Sequence, residues 1–251
     1  MTINTKTLAA IDIGTNAIRL FISNVEEYPT ETLFKKIAFL RVPIRLGEDV
    51  FTTGEIGQQK RKRLCETMQG FSYIMSAFNV ESYKAYATCA MREARNGKSV
   101  AEQIQKECDL NIEIISGTKE AETIFAGGMN EVVDDDKTYL YVDVGGGSTE
   151  VIVYSKSVKV EACSFPLGTV RMLNDAVDKE EMKHFKKWLK NITEKYTPDA
   201  IIGSGGNINK IHKLLNKKER ERITYQELDI LYEYMKSFNL EERERIMKLN
   251  T

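Results

Sequence analysis

The chain has 251 residues, 42% of them hydrophobic and 29% charged, enough for a packed core in one large domain or two small ones. Lys plus Arg number 36 and Asp plus Glu 37, a net charge of −1 that excludes a global basic field for nucleic acid or a membrane surface. Four scattered cysteines and two histidines exclude a disulfide framework, a zinc knuckle and a His-rich metal site.

In chain order, residues 7–46 read as β-rich, opening with a hairpin over 8–24. A long helix is expected over about 55–78, a strand at 82–88, a helix from about 90 to 108 and a strand at 112–116. A helix over 117–133 follows, with Thr118 as its cap. The second half begins with a hairpin over 138–154, and 159–168 continues its sheet. Helices are expected over 178–196, 207–216 and 224–249. The basic runs Lys60–Arg63 and Lys217–Lys218 read as solvated helix faces. No stretch is long and apolar enough to span a bilayer, so a cytoplasmic location is the default expectation.

Two stretches share one plan. AIDIGTNAIRLFIS (10–23) and YVDVGGGSTEVIVY (141–154) each run apolar, Asp, apolar, Gly, small residues, apolar. Asp12 aligns with Asp143, Gly14 with Gly145, and Arg19 with Glu150. Each reads as strand, tight turn, strand, and such a turn can gather its backbone N–H groups into an anion-binding concavity. The glycines at 145–147 are then expected to leave room for a phosphate. The two Asp carboxylates would lie beside it, where they could hold Mg²⁺ directly or through water. A third cluster lies at 199–215: a short buried strand Ala200–Ile202, a turn over Gly203–Gly206, and a helix capped by Asn207. It is neither a G-x-G-x-x-G fingerprint nor a Walker A loop, but a Gly-rich turn before a helix suits an anion.

The β-rich start and β/α alternation in each half suggest two α/β lobes, 1–124 and 125–251. Paired Asp-bearing hairpins and a later Gly-Gly turn resemble the actin, sugar kinase and heat-shock ATPase group, with ribonuclease H-like lobes around a phosphate-binding cleft. Within it the chain closely resembles the exopolyphosphatase and guanosine pentaphosphate phosphohydrolase (Ppx/GppA) family. The matching motifs are DIGTNAIRL (12–20), RLG (45–47), ATCAMREARN (87–96), IEIISGTKEAETIFAGG (112–128), VDVGGGSTEV (142–151) and GSGGNINKI (203–211), in the family's order.

That resemblance implies a Mg²⁺-dependent hydrolase of the stringent response. It would release terminal phosphate from inorganic polyphosphate, guanosine pentaphosphate or both. Glu120 falls at the family's catalytic base, and Arg92 at a phosphate-contacting arginine. Asp12, Asp143 and Glu150 are the expected acidic residues near the metal. The expected phosphate contacts are Gly14, Thr15, Asn16, Arg19, Arg92, Gly145, Gly146, Gly147, Ser148, Thr149, Gly205 and Gly206. Ala17 departs from a hydroxyl residue common in the family. The second lobe ends without the helix and strand block that completes it in family members. Nucleic acid and membrane are not expected partners, and a homodimer stays open.

From residues alone, Glu120 sits in a first helical turn, where the dipole favours any acid, and Glu122 is its nearest rival. Phosphoryl transfer to water needs one group to orient the water and cations to neutralise charge. Arg19 and Arg92 could serve as forks on phosphate oxygens or as surface arginines. Cys89 and Arg95 have Cys-x5-Arg spacing, but CAMREAR lacks the glycine that a cysteine phosphatase loop needs. The competing functions are an ATP-dependent kinase or ATPase of the same fold, and a non-catalytic sensor of guanosine tetra- or pentaphosphate.

Overall fold

The structure is a computed structural model that describes residues 4–126, 134, 136–156, 158–218 and 221–247. The chain divides into two compact units, Met1–Ile202 and Gly203–Thr251.

The first unit runs β1 (Asn4–Ile13), β2 (Ile18–Glu27), β3 (Thr32–Val42), α1 (Leu46–Thr53), α2 (Gln58–Ala77), β4 (Ser82–Ala87), α3 (Cys89–Glu93), α4 (Gly97–Cys108), β5 (Glu113–Ile114) and α5 (Gly117–Ala126). It continues with β6 (Thr138–Val144), β7 (Thr149–Ser155), β8 (Val158–Phe165), α6 (Thr169–Leu173), α7 (Lys179–Tyr196) and the start of β9 (Ala200–Ser204). One sheet has the order β3-β2-β1-β4-β5 and the other β8-β7-β6-β9. The first three strands of each are antiparallel neighbours, and each triplet leads into a short helix, α1 or α6. The internal repeat thus extends from the two hairpins to a whole β-β-β-α segment, within the expected α/β fold.

Alternation places β2. Ile18, Leu20 and Ile22 are fully buried and meet Leu64, Met68 and Phe71 of α2 and Val100 and Ile104 of α4 in one core. Burying each such side chain contributes about 1.5–3 kcal/mol of transfer free energy. Strand β7 is buried on both faces, as its unbroken apolar run Val151–Tyr154 requires. Val151 and Val153 pack with Phe165, Leu167 and Ile192, the last from α7, while Ile152 and Tyr154 pack with Tyr139 and Tyr141. Helix α5 packs on β7 and β8.

Several expected elements differ. The helix expected over 90–108 is two helices, because Asn96 spans to another segment. Its side chain accepts from the Ile56 amide at 3.0 Å and donates to the Ile56 carbonyl at 2.9 Å. The strand at 112–116 pairs only over Glu113–Ile114. Ser116, not Thr118, caps α5: its Oγ accepts from the Lys119 amide at 3.1 Å. The rest of the helix expected over 117–133 lies outside the described residues from 127 onward. Ile201 is 68% exposed, so β9 is not the buried strand expected.

In the second unit β9 passes directly into α8 (Gly205–Leu214), so the expected turn over 203–206 is strand and helix, and Asn207 lies inside the helix. The helix expected over 224–249 is α9 (Tyr225–Lys236) and α10 (Leu240–Met247), with 248–249 outside the described residues. The break is chemical: Asn239 Oδ1 accepts from the Glu242 amide, and Glu242 accepts from the Asn239 amide, both at 2.9 Å, which starts a new helix. Thr224 and Glu227 form the same reciprocal cap on α9. Among the described residues no helix is long and apolar enough to cross a membrane.

Candidate active site

The two hairpin turns match residue for residue. Asp12 pairs across the strands with Arg19, and Asp143 with Glu150. The Gly14 amide donates to the Ala17 carbonyl at 3.2 Å, and the Gly145 amide to the Ser148 carbonyl at 2.9 Å. The turns also meet. Thr15 is buried against Gly47, Gly146 and Gly147. A Cβ on Gly146 would lie 3.1 Å from the Thr15 side chain, and one on Gly147 would lie 2.8 Å from the Phe51 ring and collide with Cys89 Sγ. The space that a side chain on these two glycines would take is therefore filled by protein.

The backbone supplies the anion site. In a trans peptide, each C=O points opposite to the next residue's N–H, and the described residues contain no cis bond. The Gly145 carbonyl accepts from the Thr169 amide at 3.0 Å, and the Gly146 carbonyl from the Val170 amide at 2.8 Å. The Gly147 carbonyl accepts from Arg171 Nε at 2.9 Å. The amides of Gly146, Gly147 and Ser148 therefore turn away from α6, and they find no acceptor among the described residues. In the first turn, the Thr15 and Asn16 carbonyls accept from the Gly47 amide at 3.0 Å and the Arg45 amide at 2.9 Å. This turns the Asn16 and Ala17 amides the other way. Thus the RLG segment and the start of α6 perform one task in the two halves. Successive unpaired amides form a concavity suited to phosphate oxygens.

Carboxyl groups gather here. Glu120 lies in the first turn of α5, and Arg92 Nη1 sits 3.5 Å from its Oε2 while donating to the Ile115 carbonyl at 2.8 Å. Glu150 is buried and accepts from Ser164 Oγ at 3.0 Å. Asp12 is tied to Arg19 at 2.5 Å. Burial first, then the Glu150 charge, push Glu120 up to about 8; Arg92 pulls against this and Asp12 adds to it. Burial also raises Glu150 and Asp143, each with a further upward push from a neighbouring carboxylate. The rival Glu122 is held by Lys159 at 2.6 Å, which lowers its pKa, on an exposed face.

Other expected residues fall in different surroundings. Thr149 Oγ1 donates to the Leu167 carbonyl, Ser148 bonds toward Glu150, and Asn16 is exposed. Ala17 is buried. Gly205 and Gly206 belong to the second unit, in the first turn of α8. Cys89 is buried, and its thiol is pushed up to about 12 by burial and then by Glu93, so no thiolate nucleophile forms there. His184 and His212 are helix residues of α7 and α8.

With this geometry in place, the comparison with known proteins is decisive for kinship. The model of the Ppx/GppA phosphatase family matches residues 22–251. The chain belongs to the Ppx/GppA phosphatase family. A bifunctional 3-dehydroquinate synthase/phosphatase of Fusobacterium nucleatum is 32% identical over 168 residues, which cover 65% of this chain and 25% of that protein. A putative exopolyphosphatase of Haemophilus influenzae is 25% identical over 244 residues, which cover 92% of this chain and 74% of that protein. The crystal structure of the Aquifex aeolicus Ppx/GppA family member superposes with a TM-score of 0.76 at 25% identity, covering 98% of this chain and 83% of that one.

Arg171 was missed in the Ppx/GppA motifs read from the sequence. It is nearly buried, lies over the Phe51 ring at 4.1 Å, and forks onto Glu93 at 2.7 Å. Only its place in a short helix, six residues after the apolar end of β8, could have drawn attention to it. As to a metal, among the described residues no group of three or more His, Cys, Asp or Glu side chains could hold one. Asp12, Asp143 and Glu150 therefore do not form a protein-only cage in this Ppx/GppA chain.

Proposed function

We propose that this chain hydrolyses a terminal phosphoanhydride bond and releases orthophosphate from inorganic polyphosphate, with guanosine pentaphosphate as a second substrate. The observation that carries this reading is a half-buried carboxyl, Glu120, held by Arg92 in the same acidic cluster as the two turns whose amides are unpaired. The name of the Haemophilus relative points to the same chemistry. The deprotonated Glu120 takes a proton from water as its oxygen attacks the terminal phosphorus. The bridging P–O bond breaks, and a chain one phosphate shorter departs. Arg92 and Arg19 are the cations that could move from carboxylate to phosphate oxygens as charge develops.

The donor set fits Mg²⁺ in its usual role. Mg²⁺ keeps several waters and needs only one or two carboxylates plus substrate phosphates. Asp143 and Asp12, whose charges already oppose each other, would hold it. Four carboxyl groups facing two arginines would otherwise repel a polyanion, and the cation supplies the missing positive charge.

The test is a phosphate-release assay on long polyphosphate, guanosine pentaphosphate and ATP, with and without Mg²⁺. Magnesium-dependent release from polyphosphate without nucleotide is expected. Release from ATP alone would favour the kinase-like reading, and tight binding without release would favour a sensor.

A further inference from the structure

Arg171 touches two parts of the site at once. Its Nε donates to the Gly147 carbonyl at 2.9 Å, which fixes the peptide that directs the Ser148 amide. Its own amide and that of Val170 donate to the Gly146 carbonyl, at 3.1 and 2.8 Å, which fixes the peptide before. At the other end Nη2 lies 2.7 Å from both carboxylate oxygens of Glu93. Glu93 is the last residue of α3, and its neighbour Arg92 holds Glu120. The guanidinium plane is stacked on Phe51, whose ring also borders Gly147. Gly168 lies so close to the Gly146 carbonyl that a Cβ there would collide with it, so α6 is seated directly on the turn.

We infer that Arg171 is a positioning residue that sets the phosphate-facing amides of Gly146–Ser148 and, through Glu93, the helix that presents Arg92 to Glu120. Its work is to keep the anion cradle and the acid–base pair in one fixed relation, which rapid phosphoryl transfer requires. A lysine would keep the charge but could not donate to Gly147 and fork onto Glu93 together. The inference rests on reading the turn as a phosphate cradle, so its test has an arm that needs no ligand.

The experiment compares wild type, Arg171→Lys and Glu93→Gln as ¹⁵N-labelled full chains, first without ligand and then titrated with tripolyphosphate. Without ligand, Arg171→Lys should shift the amide resonances of Gly146–Ser148 and of Arg92 together, while Val151–Val153 in β7 stay in place. Glu93→Gln should shift the Arg92 group in the same direction. With tripolyphosphate, the wild-type cradle amides should move, and Arg171→Lys should weaken binding by between about tenfold and a hundredfold. Turnover should fall by a similar factor. Resonances of Arg92 that stay in place in both variants would overturn the coupling, as would unchanged binding and turnover in Arg171→Lys. Wild-type cradle amides that ignore tripolyphosphate would overturn the phosphate reading instead, and the ligand-free shifts would still decide the role of Arg171.

Discussion

Glu120 and Glu122 stand two residues apart on one helix and meet opposite surroundings. One is pushed up to about 8 by burial and by Glu150, and the other is held down by Lys159. Glu120→Gln should therefore cut phosphate release by about 10²–10⁴-fold, and Glu122→Gln should leave it within about twofold of wild type. Because the base must be deprotonated, kcat/KM should climb with pH and level off above about 8. Stability should run the other way. The folded pKa lies above the ordinary 4.5, so the stability that Glu120 contributes is complete below 4.5 and is lost as pH rises through 8. Urea midpoints should show Glu120→Gln gaining on wild type between pH 5 and pH 9; a constant gap would mean that Glu120 is not held protonated by its surroundings. The sequence offered both glutamates and could not separate them, because Glu150, which pushes Glu120 up, and Lys159, which holds Glu122, come from strands some thirty to forty residues away.

Among the elements, the hairpin turns were the most legible, since an Asp two residues before a Gly repeated at the same strand offset in both halves. What the glycines are for was not legible, because Thr15, Phe51 and Cys89, which fill the space beside them, are remote in sequence. Gly147→Ala should consequently destabilise by about 1–3 kcal/mol, as overpacking does. Gly206→Ala, with nothing near its would-be Cβ inside helix α8, should be stabilising by about 0.5–1 kcal/mol. Equal urea midpoints for the two variants would contradict this assignment of close packing. The break between α3 and α4 escaped a periodicity argument because one side chain, Asn96, imposes it by bonding to Ile56. Asn96→Ala should cost about 1–3 kcal/mol by leaving those backbone groups unsatisfied, read as a lower urea midpoint.

For the molecule as a whole, two β-β-β-α segments bring two turns into contact through Thr15, and α5 lays Glu120 over the second sheet. The pairing of two hairpins was legible in the repeat, and the family resemblance was carried by motifs lying mostly in turns and helix starts, where chemistry rather than packing restricts the residue. Helix α6 and Arg171 were invisible in advance, because a five-residue helix has no periodicity and the partner Glu93 lies 78 positions away. The most direct measurement is orthophosphate release from long polyphosphate with Mg²⁺, by the full chain and by Glu120→Gln side by side, with tripolyphosphate binding measured for both. The account predicts release by the first, at least a hundredfold less by the second, and comparable binding. Equal release by both proteins, or none by either despite binding, would contradict it.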